Sequence, residues 1–258
     1  MRPVSCVCCG LVLVGVLSGG VALDAAGIGT ITDDDFSLIA DSSAEFSGVQ
    51  GNSNWYYGYY NVSTDPNGAY NALPGGTDDF QAFTWYGLDA NHSDEAAWQF
   101  NTTDQPWTLL SAGKAHPNGS DQWSGGSTNV HWAVRRWVSE VSDCVDIRWS
   151  LSKADVGGNP WANGVTARIF LNGSQVDWRT IAWDDTSLGS RSRILTVQAG
   201  DYIDFALDAK GTFSSLYGGY GNGQWDMSNF SAHVVLMPEP ATLGLLAVGG
   251  LLTLRRRR

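Results

Sequence analysis

Residues 27–237 are predicted to form one all-β domain, a jelly-roll-like antiparallel β-sandwich, on three observations. No stretch sustains a helical period, and turn-forming residues interrupt the chain at short intervals. Several segments alternate apolar and polar side chains with period two, the pattern of strands with one buried face. Asn172-Gly173 stands between two such segments, a strong short-range signal for a type I′ hairpin. About eight strands without helices imply a sandwich, and the jelly roll is its commonest eight-stranded form.

In chain order, Arg2, the apolar run Val4 to Leu17 and the small residues Ser18, Gly19, Gly20 and Ala22 form the pattern of a secretory signal peptide. Residues 1–26 are therefore expected to be removed, with cleavage between Ala22 and Ala26. Trp55–Tyr60 and Phe80–Trp85 are the first strand candidates. In the former, Trp55, Tyr57 and Tyr59 share one face and Tyr56 and Tyr60 the other, so at least one set belongs to a core. Trp132–Val141 follows, then the clearest alternation in the chain, Val145, Ile147, Trp149 and Leu151 against Asp146, Arg148, Ser150 and Ser152. The two-residue loop at Asn172-Gly173 would pair Leu171 with Ser174, Ile169 with Val176 and Ala167 with Trp178, all on one apolar face. Ile194–Gln198 and Tyr202–Leu207 are expected to form a second hairpin about Ala199-Gly200-Asp201, and Phe230–Leu236 closes the domain. The Gly-, Asn- and Asp-rich stretches 61–79, 87–130 and 208–228 are expected to be loops.

Three unlike elements then follow without a gap: Pro238-Glu239-Pro240, the uncharged run Ala241 to Leu254, and the cluster Arg255, Arg256, Arg257 and Arg258. As a helix the run would span about 21 Å at 1.5 Å per residue. Arginines that snorkel to the headgroups make up part of the roughly 30 Å hydrocarbon thickness and hold that end on the cytoplasmic side. The order resembles the PEP-CTERM sorting signal of bacterial surface proteins. That resemblance implies a transmembrane sorting helix over 238–258, removal of the tail by a membrane-embedded exosortase, and delivery to the cell surface or its exopolysaccharide.

Four blocks inside the domain also resemble an uncharacterised β-sandwich domain of exported PEP-CTERM proteins. They are Trp55 to Tyr60, His116-Pro117-Asn118-Gly119, Trp132-Ala133-Val134-Arg135-Arg136-Trp137, and Gly164-Val165 running to Asn172-Gly173. None is a catalytic signature. The layout is similar to that of carbohydrate-binding jelly rolls, a fold-level analogy that names no function.

Charge narrows the partners. The chain carries 15 basic and 26 acidic residues, a net charge of -11. Without 1–26 and 238–258 it loses five arginines, Asp24 and Glu239, which leaves 10 basic and 24 acidic residues, or -14. Nucleic acid is excluded as an expected partner, because phosphate binding needs a basic surface. Of the four cysteines only Cys144 lies in the domain, so no internal disulfide is expected there.

Twelve tryptophans and nine tyrosines give many flat apolar faces on which sugar rings can stack. Those beside Gly, Asn or Asp in loops are the candidate glycan contacts: Trp161, Tyr220 and Trp225, with Trp123 and Trp183. Acidic clusters at Asp33 to Asp35, Asp78-Asp79 and Asp184-Asp185, with Asp208 and Asp226 flanking a glycine-rich loop, are open to a structural calcium ion, and Asp208 and Asp226 are its candidate ligands. A solvated acidic surface is the alternative. No catalytic residues are assigned: the four histidines have no metal-ligand spacing and Gly-x-Ser-x-Gly is absent. Arg135-Arg136 puts one guanidinium on each face of a strand, the inner one expected on a carboxylate or loop carbonyls. The expected function is a non-enzymatic surface or matrix protein associated with extracellular polysaccharide, with a polysaccharide-active enzyme or a structural coat protein as alternatives.

Overall fold

The computed structural model describes residues 37–65, 69–72, 78–88, 95–100, 107–120, 129–156, 164–212 and 226–237. The signal segment 1–26 and the tail 238–258, including Pro238 to Pro240 and Arg255 to Arg258, lie outside them. Two antiparallel sheets face each other, and no α-helix occurs among the described residues. The eight-stranded sheet runs β12 (Gly189–Thr196), β9 (Cys144–Lys153), β14 (Ser228–Leu236), β7 (Lys114–His116), β6 (Leu109–Ser111), β5 (Ala96–Gln99) and β4 (Thr84–Leu88). Its remaining strand, β1 (Ser37–Asp41), takes the far end of the β14 edge that also carries β7. The six-stranded sheet runs β11 (Ser174–Ile181), β10 (Val165–Leu171), β13 (Tyr202–Asp208), β8 (His131–Val138), β2 (Trp55–Asn61) and β3 (Gln81–Ala82).

The alternation in β9 is realised as expected, with Val145, Ile147, Trp149 and Leu151 all buried against the opposite sheet. Trp55 and Tyr57 enter the same core beside Phe205, Trp98 and Phe46. Tyr60, on the other face of β2, is equally buried. It belongs to a second apolar cluster outside the sandwich, in which Tyr70 and Ala72 cover Trp132, Val134, Phe170 and Ala206.

Three expectations need correction. The stretch 87–130 is not a simple loop, because it supplies β5, β6 and β7. Strands of three or four residues are too short to show a period. Ala199-Gly200-Asp201 does turn the chain, but β12 pairs with β9 and β13 with β10 and β8. The turn therefore crosses from one sheet to the other, since a reversal signal does not say which sheet the next strand joins. In the β10–β11 hairpin, Asn172 and Gly173 take positive φ of 49° and 76° and Leu171 meets Ser174. Phe170 still meets Gln175, and beyond that pair the register shifts through a bulge, so Ile169 faces Asp177 and Arg168, not Ala167, faces Trp178.

Arg135 and Arg136 on β8 are both buried. The inner guanidinium of Arg135 donates to the carbonyls of Ser111, Ala112 and Lys114 and to Ser42 Oγ. Burial holds its pKa down to about 10. The outer one, on Arg136, pairs with Asp204 at 2.7 Å and with Asp78, between the rings of Phe80 and Tyr202.

Gly164 has φ +88°, and a Cβ there would lie 2.0 Å from the Ile181 carbonyl oxygen. Gly200 has φ +92° with open space around it. Denaturant titration should therefore show Gly164→Ala costing about 3 kcal/mol or more, strain plus clash. Gly200→Ala should cost about 1 kcal/mol, strain alone.

His131 is buried between Tyr59 and Phe100, and burial lowers its pKa to about 4. Its contribution to stability is complete above pH 6.5 and is lost as pH falls toward 4, by about 3 kcal/mol at most. Asp226, raised by burial to about 6, works in the opposite sense, favouring the fold below its ordinary 3.8 and losing that as pH rises through 6. The difference between wild type and His131→Gln isolates the histidine. The wild-type Tm should fall more steeply than the variant's from pH 6.5 to 4, and parallel profiles would contradict a buried neutral imidazole.

Candidate functional site

The bulge in β11 decides what the hairpin presents to solvent. An unbulged two-residue hairpin would turn Trp178 toward the core; with one extra residue on β11, Val176 and Asp177 both lie on the inner side and Trp178 comes out. It is 56% exposed. Asp177, brought inward, accepts from Arg191 Nη2 at 2.7 Å, Arg191 Nε at 3.1 Å and Trp149 Nε1 at 3.2 Å. Its carboxyl also accepts the Trp178 N–H at 2.9 Å. Burial works to raise this carboxyl, yet Arg191, Trp178 and Trp149 together hold it below its ordinary value. The β11–β12 side of the sandwich is thereby closed by an ion pair between the two sheets.

On the outer face of the six-stranded sheet, Tyr70 and Ala72 cover the part built by Trp132, Val134, Phe170 and Ala206. Next to this cover lies a groove of about 260 Å³, lined by Thr166, Arg168, Gln175, Trp178, Thr180 and Lys210 with Gly211. Arg168 marks the boundary, its guanidinium 5.2 Å from the Trp132 ring centre. Asp208, almost completely buried, holds that guanidinium from below at 3.0 Å from Nε and 2.9 Å from Nη2. Gln175 Oε1 accepts from Nη1 at 3.1 Å. Burial raises the pKa of Asp208, and Arg168 opposes that rise. Thr166 and Thr180, paired across the strands, bring their hydroxyls to 2.7 Å, and Thr166 Oγ1 also donates to the Lys210 carbonyl. The groove thus offers one exposed indole, amide and hydroxyl groups and the Arg168 guanidinium on β10 and β11, with Lys210 just past the end of β13.

Of the residues expected from sequence to contact glycan, Trp161, Tyr220, Trp225 and Trp123 lie outside the described residues. Trp183 is half-buried in the turn between β11 and β12 and is not among the groove's lining residues. The two proposed calcium ligands are both buried and each faces a cation, Asp208 on Arg168 and Asp226 on Lys153 at 3.3 Å. Among the described residues no group of three or more His, Cys, Asp or Glu is placed to hold a metal. Asp78 is likewise paired with Arg136, Asp79 accepts from Asn71, and Asp185 faces Arg179. Sequence reasoning placed Trp178 on the apolar face and missed the groove. The unbulged register puts Asp177 opposite Arg168, which looks satisfactory, and the partners that favour the bulge, Arg191 and Trp149, are far away in sequence.

No family model matches the chain, and no curated protein matches it. Among solved structures it is similar to the K3 cleaved adhesin domain of Lys-gingipain from Porphyromonas gingivalis w83. Identity is 9% over 77% of this chain and 98% of that one, with a TM-score of 0.37. It is also similar to the CBM51 from Clostridium perfringens GH95 in complex with methyl-galactose, 9% identical over 78% of this chain and 95% of that one, TM-score 0.29. Likenesses this distant transfer no ligand and no activity.

Exposure makes Trp178 separable from the fold. Trp178→Ala should leave unfolding stability within about 0.5 kcal/mol of wild type. Trp149→Ala, in the core, should cost about 3–5 kcal/mol. A large loss at Trp178 in denaturant titration would show that its ring is structural.

Proposed function

We propose that this chain is an exported, non-enzymatic surface or matrix protein whose jelly-roll-like sandwich binds extracellular polysaccharide through the outer face of the β10–β11 hairpin. The observation that carries the reading is Trp178, an exposed indole in a groove ringed by hydrogen-bonding groups. Sugar rings have apolar C–H faces and polar hydroxyl rims, so a binding site for them needs a flat apolar surface with donors and acceptors at its edge. Trp178 supplies the first, and Gln175, Thr180 and Arg168 the second. Among the described residues the groove's lining includes no carboxylate, whereas glycoside hydrolysis needs two placed across the bond. The groove therefore suits holding a glycan better than cleaving it.

The export part of the reading rests on sequence: the signal segment 1–26 and the Pro238-Glu239-Pro240, apolar run and arginine order of an exosortase substrate. Residues 238–258 would anchor the chain in the inner membrane until processing. A calcium ion at Asp208 and Asp226 would have to displace Arg168 and Lys153, so calcium is assigned no part in glycan binding.

Two measurements test the proposal. Intact mass of surface protein from its host should lack Ala241 to Arg258; recovery of the full C-terminus would leave a plain membrane anchor. Affinity electrophoresis in the host's own exopolysaccharide should retard the protein, and Trp178→Ala should lose about 2 kcal/mol of binding while keeping its Tm. Equal retardation of both proteins would remove the groove from the reading.

A further inference from the structure

We infer that Lys153 and Asp226 form an isopeptide cross-link, the Nζ amine of Lys153 condensing with the side-chain carboxyl of Asp226 inside the folded domain. The inference concerns a covalent modification and is independent of the glycan-binding reading.

Position is the first argument. Val145, Ile147, Trp149 and Leu151 form the inward face of β9, and Lys153 is the next residue on that face, an amine where the pattern would place an apolar group. Its side chain is 0% exposed and that of Asp226 is 2% exposed, with Nζ 3.3 Å from Oδ1. The other carboxyl oxygen of Asp226, Oδ2, is buried with no hydrogen-bond partner among the described residues. The ion pair of Lys114 with Glu95 is of another kind, its side chains 36% and 42% exposed. The backbone fixes Lys153 and Asp226 side by side. Lys153 is paired with Ser228 across β9 and β14, and the Ala154 N–H donates to the Met227 carbonyl at 3.0 Å. Ser228 Oγ donates to the Asp226 carbonyl at 2.9 Å. Two groups held this close react as parts of one molecule, with little further ordering to be done.

Chemistry is the second. Unlike the buried guanidinium groups of Arg135 and Arg136, a buried lysine amine can lose its proton and become a nucleophile. Burial favours the neutral amine on Lys153 and the neutral acid on Asp226, whose pKa rises to about 6. The attraction within the pair opposes both shifts, and the charge of Asp208 adds to the rise at Asp226. A proton passed from the ammonium to the carboxylate supplies both neutral forms. The Nζ–Cγ bond then forms, one Cγ–O bond breaks, and the hydroxyl leaves with an amine proton as water. Nothing is oxidised or reduced, and no co-reactant is consumed. A neutral amide replaces two buried charges, whose removal from water is costly. The link would join positions 73 residues apart, in a domain whose single cysteine allows no internal disulfide.

Mass spectrometry tests the inference. The intact mass of the folded protein should lie one water below that of its own sequence. Trypsin should not cleave after Lys153, and the peptide that begins at Trp149 should be joined to the one that begins at Gly211 and carries Asp226. Lys153→Met and Asp226→Ala should each restore the full sequence mass. Protein refolded from urea should lose the water only as it folds. The full sequence mass, with ordinary cleavage after Lys153, in folded wild type would overturn the inference and leave a buried ion pair. A water lost equally by Lys153→Met, or by protein held in urea, would place the dehydration elsewhere and overturn it as well. The wild-type peptide map decides the matter even if neither variant folds.

Discussion

Two adjacent arginines on β8 hold the architecture together. Successive side chains of a strand point to opposite faces, so Arg135 and Arg136 cannot share an environment, and both are nearly inaccessible to solvent. A buried guanidinium is costly unless its donors are met. Arg135 meets most of that cost through its two terminal nitrogens, which donate to carbonyls of the β6–β7 connection and to Ser42, itself the acceptor of the Ala232 N–H of β14, while its Nε has no acceptor. One side chain thereby ties the six-stranded sheet to three parts of the other. Arg136 does the same outside the sandwich: Asp204 anchors it to β13, and Asp78 and Tyr70 are drawn over it. The aromatic cover on the outer face is fixed by that network, and where the cover stops the groove begins.

The groove itself depends on a second constraint at the opposite edge. Arg191 and the Trp149 indole hold Asp177 on the inner side, and the bulge in β11 is the geometry that lets it reach them. The neighbouring residue must then face outward. An ion pair that closes the side of the sandwich therefore also exposes the indole on which the binding proposal rests. Stability and presentation come from one backbone irregularity, which is why Trp178 can be open to solvent while its carboxylate neighbour is not.

Charge distribution connects these local features to the whole. Asp208 is used within the protein to hold Arg168. Buried acids elsewhere are used in the same way: Asp204 on Arg136 and Asp226 on Lys153. Arg168, Arg136 and Lys153 are therefore each engaged by a carboxylate of the domain itself.

The sequence by itself determined the class of the fold, the burial of the β9 face, the Asn172-Gly173 turn and the division of Arg135 and Arg136 between two faces. Each of these rests on a period or on a residue type with one backbone preference. It also carried the signal and tail patterns, which are local in sequence. Tertiary structure alone decided that β12 and β13 belong to different sheets, that short strands interrupt 87–130, and that the buried carboxylates of Asp208 and Asp226 are partners of Arg168 and Lys153. It alone turned Trp178 outward. A bulge costs little and leaves no trace in residue spacing, and the side chains that select it lie on β9 and β12, so only their approach in space could settle which face the indole would take.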